Sequence, residues 1–152
     1  MNRLKPMEKR RLLSFKPKSY GRSARGLPLD VSLPASGETD LPIFTAVHGE
    51  EAETTALLSK ALRSLSAAPE RGAMVLSANP DGAILGARGE ELNYNFPSSN
   101  WQAAPVLTRW SKKRDQVVFS TGSAPSSEPE RQALIRFIEL LISGLGVLET
   151  TK

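Results

Sequence analysis

The sequence contains no cysteine, which excludes disulfides, thiolate metal ligands and a thiol nucleophile. It contains one histidine, His48, so a metal site with two imidazoles cannot come from a single copy of the chain. Aromatic residues are scarce at 6%, and only Phe15 and Tyr20 lie near the basic N-terminal residues. A nucleic-acid surface is usually marked by a binding motif or by aromatics among the basic residues, and neither is present. Long apolar runs are missing too. The only one within residues 1–25 is Leu12-Leu13, short of the ~7–15 residues of a signal core. No stretch reaches the ~20 apolar residues that span a bilayer. The expectation is a soluble, cytoplasmic protein with no membrane partner.

What is present suffices for one domain. A chain of 152 residues, 39% hydrophobic and 24% charged, can bury a real core and is not compositionally disordered. Its charge is unevenly spread. Residues 1–25 carry nine basic residues against Glu8, a net of +8, and the remainder carries −4. We expect a basic N-terminal tail over residues 1–18, with Pro6 and Pro17 as breakers, and a mildly acidic domain over 19–152. A solvated tail is the ordinary reading of that charge. Contact with nucleic acid or anionic lipid is the alternative, and no motif supports it.

Residues 27–33, 43–47 and 73–78 read as strands, with a further short one at 116–120. Residues 50–65 read as a helix with Ala52, Ala56, Leu57, Ala61, Leu62 and Leu65 on one stripe. Glu50, Glu51 and Glu53 fall in its first turn, and Lys60 and Arg63 near its end, an order that suits the helix dipole. A second helix is expected over 127–143. Ser127-Glu128-Pro129-Glu130 has capping-box spacing, and Ala133, Leu134, Phe137, Ile138, Leu141 and Ile142 form its apolar face. Gly21 and Gly26 are placed around a turn, and Asn79-Pro80-Asp81-Gly82 is a strong turn signal. From there to residue 127 little regular pattern is visible, although Phe96, Trp101 and Trp110 mark the stretch as packed.

The residues around His48 read PIFTAVHGEEAET. A strand that ends at His48, turns on Gly49 and enters a helix puts His48 and Glu51 at the carboxyl edge of a sheet. Open α/β sheets hold their ligands there. An imidazole nitrogen and a carboxylate oxygen are donors suited to zinc. Taken alone, the same two residues read more readily as a partly exposed histidine beside a helix N-terminus that favours acids.

The order of motifs adds a resemblance. YGRS-x-x-G-x-P-L, a strand ending in HG-E-E, a strand ending in NPDG, then L-N-x-N-F-P resembles the zinc carboxypeptidase (carboxypeptidase A-like) family. Within it, SANPDGAILGARG, LNYNFPSSNW and SEPERQAL look most like the bacterial murein peptide amidases. The resemblance covers residues 20–141 and implies an α/β fold, a partial mixed sheet flanked by helices like the N-terminal half of the zinc carboxypeptidase fold. It implies a zinc hydrolase acting on murein-derived peptides at the γ-D-glutamyl-diaminopimelate bond. His48 and Glu51 match the first two zinc ligands, and Arg88 the arginine that polarises the scissile carbonyl. Loss of one such donor costs about 2.7–4 kcal/mol. Asn93 matches the asparagine that helps hold the substrate's terminal carboxylate.

Three departures qualify what is expected of this chain. Tyr94 stands where the family has an arginine that clamps the substrate carboxylate, replacing a charged fork worth roughly 1.5–3 kcal/mol with one neutral donor. Only Gly89-Glu90-Glu91 separates Arg88 from Leu92, a shorter segment than the family's. The family's third zinc ligand, a histidine on a later strand, and its general-base glutamate have no counterpart here. Catalytic zinc generally takes three protein ligands, and His48 and Glu51 supply two. The expectation is one incompletely liganded zinc ion and impaired hydrolysis. The alternative is an inactive relative with a peptide-binding or partner-dependent role. The 43–47 strand is also expected to form an unprotected edge, open to self-association.

Overall fold

The computed structural model describes residues 4–35, 39–49, 51–85, 92–103, 106–110 and 116–143. Strands β1 (Lys18–Arg22), β2 (Pro28–Ser32), β3 (Leu41–Phe44) and β4 (Gly72–Val75) form one sheet in the order β1-β2-β4-β3. β1–β2 and β2–β4 are antiparallel, and β3–β4 is parallel. A parallel neighbour needs a crossover, and helix α1 (Ala52–Ser64) supplies it between β3 and β4. Helices α2 (Pro80–Leu85) and α3 (Pro129–Ile142) follow, with β5 (Val106–Trp110) and β6 (Gln116–Phe119) paired as a separate antiparallel hairpin. This is the expected α/β class, a mixed sheet with helices.

α3 closes the core. Its Leu134 and Phe137 are buried with Val31, Ala73, Val75 and Ala78. Phe137 stacks on Tyr20 at 5.0 Å between ring centroids and meets Phe44 edge-on at 6.4 Å, arrangements that aromatic quadrupoles favour. The expected face of this helix is the one that packs, except that Ile142 at its end is 81% exposed.

Four details between β1 and α2 differ from expectation, each traceable to named contacts. β3 starts and ends earlier than 43–47, because Ala46 has φ 50° and cannot continue an extended strand. The chain nevertheless stays beside its neighbour, since Thr45 O and Ala46 O accept from Ala78 N and Asn79 N at 2.9 and 3.0 Å. Gly21 lies inside β1, where α3 crosses it at Ala133, rather than in a turn. α1 presents a different stripe: Leu62 is buried and Thr55, Leu58 and Ser59 are half-buried, while Ala52, Ala56, Leu57 and Ala61 face outward. Two hydroxyls set that rotation. Thr54 Oγ1 accepts from Ala46 N at 3.2 Å, and Thr55 Oγ1 donates to Leu76 O at 2.9 Å. Finally, Asn79-Pro80-Asp81-Gly82 opens a helix, α2, instead of an irregular stretch. Asn79 Oδ1 accepts from Gly82 N at 2.8 Å in the manner of an N-cap, with Pro80 at the first helical position.

The N-terminal segment touches the body. Leu4 bridges to Leu65, and Lys5 N donates to Ser64 O at 2.7 Å at the end of α1. β3 forms one end of the sheet among the described residues. Pro42 within it has no N–H to offer, which blunts that edge.

Candidate metal and substrate site

Because β3 and β4 run parallel, the segments leaving their carboxyl ends emerge side by side. One is the turn His48–Glu51, closed by a bond from Glu51 N to His48 O at 3.1 Å. The other is Asn79–Gly82 at the start of α2. The two are pressed together at their glycines: a Cβ on Gly49 would fall within the backbone of Gly82, and a Cβ on Gly82 would lie 2.6 Å from Asn79 Nδ2. His48 and Glu51 are both half-buried, at the sheet edge where the sequence puts them. Arg88 lies outside the described residues.

The described residues contain no group of three or more His, Asp or Glu side chains able to hold a metal ion. His48 and Glu51 are an imidazole and a carboxylate on one short turn, a donor set of the right chemistry but short of the three that a catalytic zinc takes. The described residues do not complete a zinc site.

Asn93 and Tyr94 belong to a 3-10 turn, Leu92–Tyr94, and both are exposed while Leu92 is buried. The turn is held from below by α3. Arg131 is 0% exposed, its Nη2 donates to Leu92 O, and its guanidinium lies over the Phe96 ring. The next residue, Asn95, is also 0% exposed. Its Nδ2 donates to Thr121 O at 2.7 Å and Ala124 O at 3.0 Å, while its Oδ1 accepts from Glu128 N at 3.3 Å. Beside this platform is a cavity of about 430 Å³. Asn93, Tyr94, Trp101 and Gln102 line it, with Ser98, Asn100 and Thr121. Trp101 Nε1 donates to Thr121 O at 3.3 Å, and Thr121 Oγ1 to Gln102 O at 2.9 Å. The wall is therefore tied together before any ligand arrives.

A second polar cluster lies under the β1–β2 turn. Asp81 accepts from Ser23 Oγ and from Arg25 N, both at 2.9 Å, and Glu130 Oε1 accepts from Ala24 N at 3.2 Å. Here the expected capping box is not realised. Glu128, not Ser127, is the N-cap of α3 and makes no side-chain cap bond; the Ser127 hydroxyl is engaged by Ser123 N and Glu128 Oε1, and the Glu130 carboxyl by Ala24 N and Asp81. Burial, reinforced by the charge of Asp81 and a hydrogen bond to it, pushes the Glu130 pKa above its ordinary 4.5. The folded state thus holds a proton that the unfolded chain releases, so this contribution to stability is full below about pH 4.5 and fades as pH rises through the raised value. Glu130→Gln keeps an acceptor and a donor without the titration. We expect the urea midpoint of the parent to fall more between pH 5 and pH 8 than that of the variant; parallel pH profiles would contradict this.

Sequence reasoning did not find Ser23, Asp81, Glu130 or Arg131. Each is a polar residue whose burial depends on a partner distant in the chain. The one local signal was Asn79-Pro80, an N-cap and first-position pair that places Asp81 at the start of a helix.

No protein-family model matches the chain. It is 41% identical to murein peptide amidase A of Escherichia coli K12 over 126 residues, 78% of this chain and 52% of that protein. Identity to murein peptide amidase A of Vibrio campbellii is 40% over 144 residues, 89% of this chain and 57% of that one. The crystal structure of murein-tripeptide amidase MpaA from E. coli O157 superposes with a TM-score of 0.82 at 37% identity, covering 93% of this chain and 63% of that chain. Bovine thrombin-activatable fibrinolysis inhibitor shares the fold at a TM-score of 0.58 and 19% identity. Fold and sequence together place the chain in the zinc carboxypeptidase family. Within that family it is similar to murein peptide amidase A, and it spans a little over half the length of the curated relatives it matches.

Proposed function

We propose that the chain is a murein-peptide-binding member of the zinc carboxypeptidase family with impaired metal-dependent hydrolysis. The superposition on murein-tripeptide amidase at a TM-score of 0.82 is the observation that carries this reading. In it, His48 and Glu51 are the two metal donors this chain contributes. When bound, zinc would polarise the scissile carbonyl and activate water. Arg88 steadies the charge that develops on that carbonyl oxygen, and Asn93 and Tyr94 meet the terminal group of the peptide. The impairment rests on the two-donor set. A neighbouring acid, Glu50 or Glu53, or a second copy of the chain would supply a third ligand.

The test uses the full chain stripped of metal, reloaded with zinc and supplied with murein tripeptide. The expected result is weak, substoichiometric zinc and measurable tripeptide binding with little turnover. Stoichiometric zinc at submicromolar affinity together with cleavage would overturn the impairment. Absence of tripeptide binding would overturn the peptide reading itself. Self-association along the edge that β3 forms among the described residues belongs to the same proposal, although Pro42 opposes it. A sedimentation coefficient that stays monomeric at rising concentration removes it.

A further inference from the structure

We propose that the folded N-terminal loop, residues 4–12, docks the chain on an anionic bilayer surface. Met7 and Leu12 enter the headgroup region, and the exposed lysines and arginines beside them meet its negative charge. This contact is separate from the peptide-binding reading above and does not depend on it.

From the sequence, residues 1–18 read as a solvated tail, but residues 4–12 are folded. Pro6 opens a 3-10 turn, Met7–Lys9, and Arg10 N donates back to Met7 O at 3.2 Å. Two cations of the segment close it on itself. Arg10 Nε donates to Lys5 O at 2.7 Å, and Lys5 Nζ donates to Leu12 O. Lys5 N donates to Ser64 O at 2.7 Å, which fixes the loop to the end of α1. Met7 is nevertheless 80% exposed and Leu12 77%, and Lys9 and Arg11 between them are exposed as well. Single exposed apolar residues need no explanation. Two of them on one closed loop, with cations between, have the make-up of an interfacial membrane contact.

The charge around the loop is complementary to such a surface. Lys16, Lys18, Arg22 and Arg25 are exposed further along, and Glu8 is the one acid among residues 4–25. Each Lys or Arg close to an anionic leaflet adds roughly fivefold in affinity. Charge alone would suit a nucleic acid equally, and the apolar side chains decide between the two. Met7 and Leu12 offer no aromatic face on which a base can stack, whereas a bilayer interface takes apolar and basic side chains together. The expectation of no membrane partner rested on missing apolar runs, not on surface exposure. A contact in the headgroup plane needs no spanning helix, and no helix among the described residues is long and apolar enough to cross a membrane.

The test sediments the full chain with vesicles of phosphatidylcholine carrying about 30% phosphatidylserine, and with phosphatidylcholine alone. Binding to the anionic vesicles is expected to be at least about tenfold tighter, and to weaken at least about tenfold between about 0.1 and 0.5 M salt. Lys9→Gln with Arg11→Gln should weaken it about thirtyfold. Met7→Ser with Leu12→Ser should weaken it about tenfold at unchanged charge. All four side chains are exposed, so thermal midpoints within about 2 °C of the parent's are expected. Equal binding to both vesicle types, no binding, or undiminished affinity of the Met7→Ser, Leu12→Ser variant overturns the inference. Retention by duplex DNA in preference to the vesicles, at equal phosphate concentration, overturns it in favour of a nucleic-acid surface. Dimerisation without vesicles that the Met7→Ser, Leu12→Ser variant abolishes assigns the loop to a second copy of the chain and likewise overturns it.

Discussion

Replacing Asn95 with aspartate is expected to destabilise the chain by about 4 kcal/mol at pH 8, the range seen when a buried hydrogen-bonded group is turned into an unpaired charge. The isosteric change puts an oxygen where Nδ2 now donates to Thr121 O and Ala124 O, so three oxygens face one another in a site with no solvent. The variant escapes in part by protonation. Burial and the opposing carbonyls raise the pKa of the new carboxyl, and the protonated form restores one donor. Stability lost at pH 8 should therefore return in part at pH 5. Urea denaturation at the two pH values measures this directly. A midpoint within experimental error of the parent at pH 8 would show that Asn95 does not join the two segments. Asn95→Ala should cost less, about 2–3 kcal/mol, because it leaves acceptors unpaired but introduces no charge.

Gly49→Ala is the second large effect, expected at about 3 kcal/mol, or roughly 6–12 °C in thermal midpoint for a domain of this size. The added methyl meets the backbone of Gly82 rather than the end of a flexible side chain. Relief requires separating the His48 turn from the Asn79 turn, and those are the two segments that emerge from the parallel pair. Thermal unfolding gives the stability change. Zinc uptake by the variant, compared with the parent, reports whether the turn has moved, since His48 adjoins the substituted residue. A thermal midpoint equal to the parent's would mean that the two turns are not in contact.

The parts of this architecture legible in the sequence are those governed by neighbours in sequence. Residues 27–33 and 73–78 are short apolar runs between turn residues; β2 lies inside the first, and β4 overlaps the second from one residue earlier, ending at Val75. The helical spacing of Leu134 and Phe137 marks the buried face of α3. His48 and Glu51 fall on one turn because they are three residues apart after a strand, and that needs no tertiary information. What was not legible depends on distant partners. The left-handed backbone at Ala46 follows from pairing with residues 78 and 79, and nothing in its own side chain announces it. The α1 stripe is misjudged because hydrophobicity alone points to Leu57, while the hydroxyls of Thr54 and Thr55 turn the other side toward the sheet. Arg131 and Asn95 read as surface residues in any local window. Their burial is decided by Leu92 and Thr121.

Those two buried residues also set an order of events during synthesis. Leu92 waits 39 positions for Arg131, and Asn95 waits 26 for Thr121. As the polypeptide leaves the ribosome, the sheet has all four strands once residue 75 is out, whereas the platform bearing Asn93 and Tyr94 stays unsupported until α3 emerges. The turn bearing Asn93 and Tyr94 is thus the last part of the described fold to mature.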